Sequence, residues 1–261
     1  MKIGEAVETV EERTGRSVAI CSLTGSRNQG LQTADSDYDF KAFVVPSLDD
    51  MYDFKEYFRK IDGKGYEISV HDIRKLPGLL CKSNPTYLEV LFSDEMFMDD
   101  GLKDLLYENR ERIARMDPAY MYNSAIGTCY HRMKTIEKGT ETTQHLVKRY
   151  GYDTKQGMHG YRMLRMLEWM EEDGSFEKAA RYKDSRDGME RRELLLSIRN
   201  GMLTLDELKE LVETTRNEIE ERYKETYMGK EADREMKAMI ENGIKDFVLK
   251  QLRDGLRSCE V

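Results

Sequence analysis

Residues 22–40 read SLTGSRNQGLQTADSDYDF, and two of their acids restrict the fold more than anything else in the chain. Asp37 and Asp39 stand at alternate positions where a polar loop gives way to the apolar run of residues 40–45. On a strand, alternate side chains share a face, and two like charges held side by side repel unless a cation lies between them. The pair therefore calls for a sheet that presents both carboxylates at the start of a buried strand, with a hard divalent ion as the natural neutraliser.

The neighbouring sequence supplies such a sheet. Residues 17–23 read as a buried strand leading into Gly25-Ser26, and residues 37–45 read as a second strand ended by Pro46. Residues 66–71 (YEISVH) alternate cleanly, which places Glu67, Ser69 and His71 on one face of a third strand and Ile68 and Val70 on the other. Ahead of the first strand, Ile3, Val7 and Val10 fall at helical spacing, with Gly15 placed to end the helix. All four prolines lie at or before position 118, and beyond Asp99 the chain is rich in Glu, Lys, Arg, Leu and Met. Helices are expected over residues 153–173, 190–200, 205–223 and 232–256, punctuated by Gly151, Gly174, Gly201 and Gly229. The expected class is α+β: a small mixed sheet with flanking helices over residues 1–98, then an all-helical domain over residues 99–261.

Composition narrows the function classes. With 35% charged residues and no apolar run near the roughly 20 residues that span a bilayer, the chain is expected to be cytoplasmic and without a membrane partner. Cys21, Cys81, Cys129 and Cys259 form no CxxC pair, which argues against a disulfide framework or a zinc knuckle. A net charge of −8 opposes broad attraction to nucleic acid, so a polyanion would need a local site.

A strand, a Gly-Ser bend and a second strand opening on Asp-x-Asp make a site suited to a metal-bound nucleoside triphosphate. Glycine allows close backbone approach, Ser26 offers a hydroxyl and an N–H, and paired acids hold hard cations through oxygen. Glu67 is the candidate third carboxylate. Asp72, of opposite strand parity, is the rival, and reads better as the cap of the turn opening at Ile73.

Gly25-Ser26, ten intervening residues and Asp37-Tyr38-Asp39-Phe40 resemble the DNA polymerase β-like nucleotidyltransferase superfamily. The ordered blocks GSRNQGLQTADSDYDF, YEISVHDIRKL, NPTYLEVLFS, TKQGMHGYRMLRML and RRELLLSIRNG are similar, more narrowly, to its RNA-ligase-associated polymerase family. That resemblance implies a helical C-terminal domain that helps close a nucleotide cleft. It implies Asp37 and Asp39 as ligands of Mg2+ or Mn2+, with Glu67 as third ligand or as base for the incoming hydroxyl. Gly25 and Ser26 would seat the triphosphate of the NTP substrate. The implied reaction moves an NMP to an acceptor hydroxyl, on an RNA 3′ end or otherwise on a protein or small molecule. The competing class is a non-catalytic nucleotide- or protein-binding module on a degenerate transferase fold, antitoxin-like or inhibitor-like.

Several residues have a plainer reading beside the functional one. Arg27 pairs with a phosphate or with Asp35 across the loop. Lys155, His159 and Arg162 fall on one helical face that continues into Met166 and Trp169, a basic stripe suited to a polyanion and equally to a helix edge. Lys155 is the preferred phosphate contact of the three. His71 reads as a hydrogen-bonded structural group, Met158, Met163, Met166 and Met170 as core, and Arg191, Arg192 and Arg199 as a solvated helix face.

Overall fold

The computed structural model describes residues 1–34, 36–182 and 185–258. The chain divides into two compact units. The first is Met1–Met116 together with the chain from Asp233 on, and the second is Asp117–Ala232.

The first unit is built on a five-stranded sheet in the order β3-β4-β2-β1-β5. The strands are β1 (Val18–Thr24), β2 (Tyr38–Val44), β3 (Phe58–Gly63), β4 (Tyr66–Asp72) and β5 (Met96–Met98). β2 and β4 run parallel, and the other neighbours are antiparallel. Helix α1 (Ile3–Thr14) ends at Gly15, whose φ of 66° lets its N–H reach back to the Glu11 carbonyl at 2.8 Å. Its Ala6 and Val10 pack on one sheet face with Phe40, Ala42, Val44, Ile68 and Val70. Each such apolar side chain of Val or Phe size contributes about 1.5–3 kcal/mol by leaving water. Burying this parity of β2 and β4 turns the other parity, with Asp39 and Glu67, to the opposite face.

The expected domain boundary at residues 98–99 falls inside the first unit. Asp99 N–H bonds the Ala19 carbonyl at 2.8 Å, carrying β5 into the next helix. The Arg234–Ser258 helix belongs to the sheet unit, anchored where Asp233 N–H meets the Met116 carbonyl at 2.7 Å. Arg112 adds bonds to Asp233 and Glu235, each of 2.7 Å at its shortest.

The second unit is helical, and its core surrounds the Thr154–Asp173 helix. Asp153 caps that helix by accepting from Gln156 N–H at 3.0 Å, and Gly174 closes it in the left-handed conformation. Met158, Met163, Met166, Met170 and Trp169 are buried, as expected of a core stripe. Arg191 sits over the Trp169 ring and pairs with Asp173 at 2.5 Å. The solvated face expected there is thus partly engaged, because the guanidinium needs a carboxylate once its stem packs on the indole. No helix among the described residues is long and apolar enough to cross a membrane. Cys259 lies outside the described residues.

Candidate active site

Strand register assembles the acids. In the parallel pair β2 and β4, Asp39 stands opposite Glu67, and on its other side Asp39 is opposite Thr24, the last residue of β1. Neighbouring strands lie about 4.8 Å apart, so the Asp39 and Glu67 backbones are adjacent and their side chains share a face. Thr24 ties this edge down, donating from Oγ1 to the Asp39 carbonyl at 3.1 Å. Asp37 lies just before β2, and the following N–H, of Tyr38, bonds the Gly65 carbonyl at 2.9 Å. Asp37 and Asp39 are exposed, and Glu67 is half-buried.

Gly25 opens the short helix α2 (Gly25–Gln29) directly after β1, with φ at 67°. The positive φ favours glycine here, and a Cβ would stand 2.6 Å from Asp39 Oδ2, so any side chain at this position would have to push that carboxylate aside. Ser26 follows and is half-buried beside it. At the far end of α2, Gln29 Nε2 donates to both carboxylate oxygens of buried Glu89 at 2.9 and 3.0 Å, fixing the bend from beneath.

Arg27 serves the loop that carries Asp37. Its guanidinium donates to the Ser36 carbonyl at 2.6 Å and to the Asp37 carbonyl at 3.2 Å, and lies 4.0 Å from the Tyr38 ring centre. Asp35, the alternative partner, lies outside the described residues.

Asp72 and Glu67 are separated by parity and environment. Asp72 is fully buried; it accepts from Arg74 N–H at 2.9 Å and pairs with the Arg74 guanidinium at 2.6 Å. Glu67 faces the acid side and receives Lys60 Nζ of β3 at 2.9 Å. That bond holds Lys60 above its ordinary value. Lys41 lies on the same face two positions beyond Asp39; burial pulls it down, while Glu89, Asp39 and Glu67 hold it up. Among the described residues no three His, Cys, Asp or Glu side chains are already gathered as an ion-binding group. Carboxylate oxygens are the donors a hard divalent cation takes, and register sets those of Asp39 and Glu67 on neighbouring strands with Asp37 two residues before Asp39.

The cations of the second unit are arranged differently. Lys155 is exposed, His159 half-buried and Arg162 only 1% exposed. Burial pushes His159 down to about 3, aided by Arg162, Arg132 and Lys155, so the imidazole is neutral at pH 7. The spacing of residues 155, 159 and 162 thus yields one solvent-facing cation, not three. Arg132, on the Pro118–Thr135 helix, is an unforeseen neighbour; it donates to Gln156 at 2.5 Å.

Lys41, Lys60, Gln29 and Glu89 were not identified from sequence. The turn Asp62-Gly63-Lys64-Gly65 ahead of the alternating Tyr66–Asp72 segment is the signal of a hairpin that would have brought Lys60 beside Glu67.

Over 101 residues the chain is 29% identical to the Bacillus subtilis (strain 168) "Uncharacterized protein YcgL", a match spanning 38% of this chain and 39% of that protein. Among solved structures, the nucleotidyltransferase-like protein from Exiguobacterium sibiricum 255-15 aligns over 95% of this chain and 74% of its own, with 11% identity and a TM-score of 0.31. The family model described as RlaP, RNA repair pathway DNA polymerase beta family, matches residues 1–243, and the chain belongs to that family.

Proposed function

We propose that this protein is a metal-dependent nucleotidyltransferase that moves a nucleoside monophosphate from an NTP to an acceptor hydroxyl. The observation that carries the reading is the register of Asp39 with Glu67, beside a Gly25 whose positive φ turns the chain against the Asp39 carboxylate. Asp37, Asp39 and Glu67 would hold Mg2+ or Mn2+. Such an ion, when bound, neutralises triphosphate charge and polarises the phosphoryl oxygens.

The chain's own groups divide the remaining work. Gly25 and Ser26 seat the triphosphate through backbone N–H and hydroxyl, and Arg27 holds the Asp37 loop in place by its two carbonyl contacts. Lys155, exposed in the first turn of its helix, is the candidate phosphate-binding cation. The acceptor oxygen forms a bond to the α-phosphorus as the bond from that phosphorus to the bridging oxygen breaks, and pyrophosphate leaves with the electron pair. Glu67, once released by Lys60, takes the acceptor proton. The family's description as an RNA repair pathway family supports an RNA 3′ end as acceptor over a protein or small-molecule hydroxyl.

Radiolabelled NTPs incubated with RNA, protein and metabolite pools test the reading. Asp37→Asn and Asp39→Asn are each expected to lower transfer by about a hundred- to thousand-fold without loss of fold, the range seen for removing one electrostatic stabiliser. A double variant that still transfers refutes it.

A further inference from the structure

Beyond the acids, the same sheet face carries a row of flat and cationic side chains. From the Asp39–Glu67 pair, register leads first to Lys41, Ser69 and Lys60, and then to Phe43, His71 and Phe58. The His71 ring lies 5.1 Å from Phe58 and 6.0 Å from Tyr87, whose ring in turn is 5.8 Å from Lys41 Nζ. Phe58 is 56% exposed, a large apolar ring left in water on the face that holds the acids. Two residue pairs along a strand span about 13 Å, enough for three or four bases stacked at about 3.4 Å.

We propose that Phe58, His71 and Tyr87, with Lys41 and Lys60, form a track that binds single-stranded nucleic acid and leads its end to Asp39 and Glu67. The proposal rests on the transferase reading of those acids and names the class of acceptor it uses. Aromatic faces stack bases without regard to sequence, and interleaved lysines neutralise the phosphates. Burial, with Lys41 and Lys75 nearby, holds His71 down to about 4, so its ring is neutral at pH 7.

The test is fluorescence anisotropy of the full chain with a labelled RNA of about twelve nucleotides, single-stranded or in a blunt duplex. The wild type is expected to prefer the single strand, with a log–log salt slope of about −1.4 for two phosphates neutralised. Phe58→Ala and Phe58→Leu are expected to weaken that binding by about five- to hundred-fold, and Phe58→Trp to retain it. Unchanged binding in folded Phe58→Ala or Phe58→Leu overturns the track, as does equal binding of the duplex. Mg–ATP binding is measured separately by calorimetry. RNA bound through Phe58 without nucleotide uptake keeps the track and removes the transferase reading; nucleotide uptake with no RNA binding does the reverse.

Discussion

The acids along β2 and β4 that face solvent and the basic groups inside the helical unit are held in opposite ways. Asp37 and Asp39 face solvent, and the partner of Glu67 is Lys60, whose own side chain is 55% exposed. An exposed ion pair is worth only about 0–1 kcal/mol, so a bound ion or a substrate can displace it at little cost. Arg162 is instead 1% exposed, and His159 is held neutral by its surroundings. A buried guanidinium is committed to its partners, since leaving it uncompensated costs several kcal/mol. Asp39 and Glu67 thus keep contact with solvent, whereas the basic side chains at positions 159 and 162 are largely enclosed by the helices around them.

Exchanging one acid from each kind of environment gives the largest contrast. Glu67→Gln keeps the shape of the side chain and removes the proton acceptor, with an expected loss of transfer of about a hundred- to ten-thousand-fold and a stability change within about 0.5 kcal/mol. Asp72→Asn, five positions on, leaves Arg74 facing a neutral group in the interior, and is expected to lose about 2–3 kcal/mol of stability. Denaturant midpoints and single-turnover rates of the two variants separate the effects. An Asp72→Asn protein of full stability but no activity would reverse the roles of the two acids.

The acid limb of the stability curve probes the helical unit. Folded His159 titrates at about 3 against an ordinary 6.5, so below pH 6.5 the unfolded chain takes up a proton that the native one refuses. Stability is full above that pH and falls as the pH drops towards 3, by about 3 kcal/mol at pH 4. His159→Gln is expected to flatten this limb. Asp50 acts in a lower window: the Arg16 guanidinium holds it at about 2 against 3.8, so its contribution is lost only as the pH falls below about 4. Urea melts of wild type and His159→Gln from pH 2 to 7 resolve the two; parallel curves would mean that His159 has the same pKa folded and unfolded.

Much of the sheet was legible because β1, β2 and β4 each carry a long apolar or alternating signal. β3 was not, since Ile61 is its only buried residue and the rest of the strand faces water. β5 is three residues long, too short for any period to show. The return of the Arg234–Ser258 helix to the first unit depends on contacts more than a hundred residues apart, such as Arg112 with Asp233, which no local pattern encodes. Within the site, the residue types and the Gly25-Ser26 bend could be read directly. Spacing on the Thr154–Asp173 helix overstated the number of usable cations, because periodicity reports which residues share a face and not how deeply that face is buried.

Lys155 is the sharpest remaining test of the contrast, and its expected effect is the smallest. It lies in the first turn of the Thr154–Asp173 helix and is exposed, so Lys155→Ala should alter stability by no more than about 0.5 kcal/mol. If its ammonium binds phosphate, losing one charge-assisted contact should weaken NTP affinity by about tenfold, near the lower end of the 1.5–3 kcal/mol range for hydrogen bonds to charged groups. Lys155→Arg should recover most of that affinity, since it keeps the charge while changing its shape. Calorimetric titration of Mg–ATP into the three proteins measures the difference. Arg162→Met should move the unfolding midpoint well before it moves the affinity, because that guanidinium is enclosed by protein. The opposite ordering, with Lys155→Ala silent in binding and Arg162→Met weakening it at unchanged stability, would place the nucleotide's cation inside the bundle and undo the division between exposed, exchangeable charge and buried, structural charge.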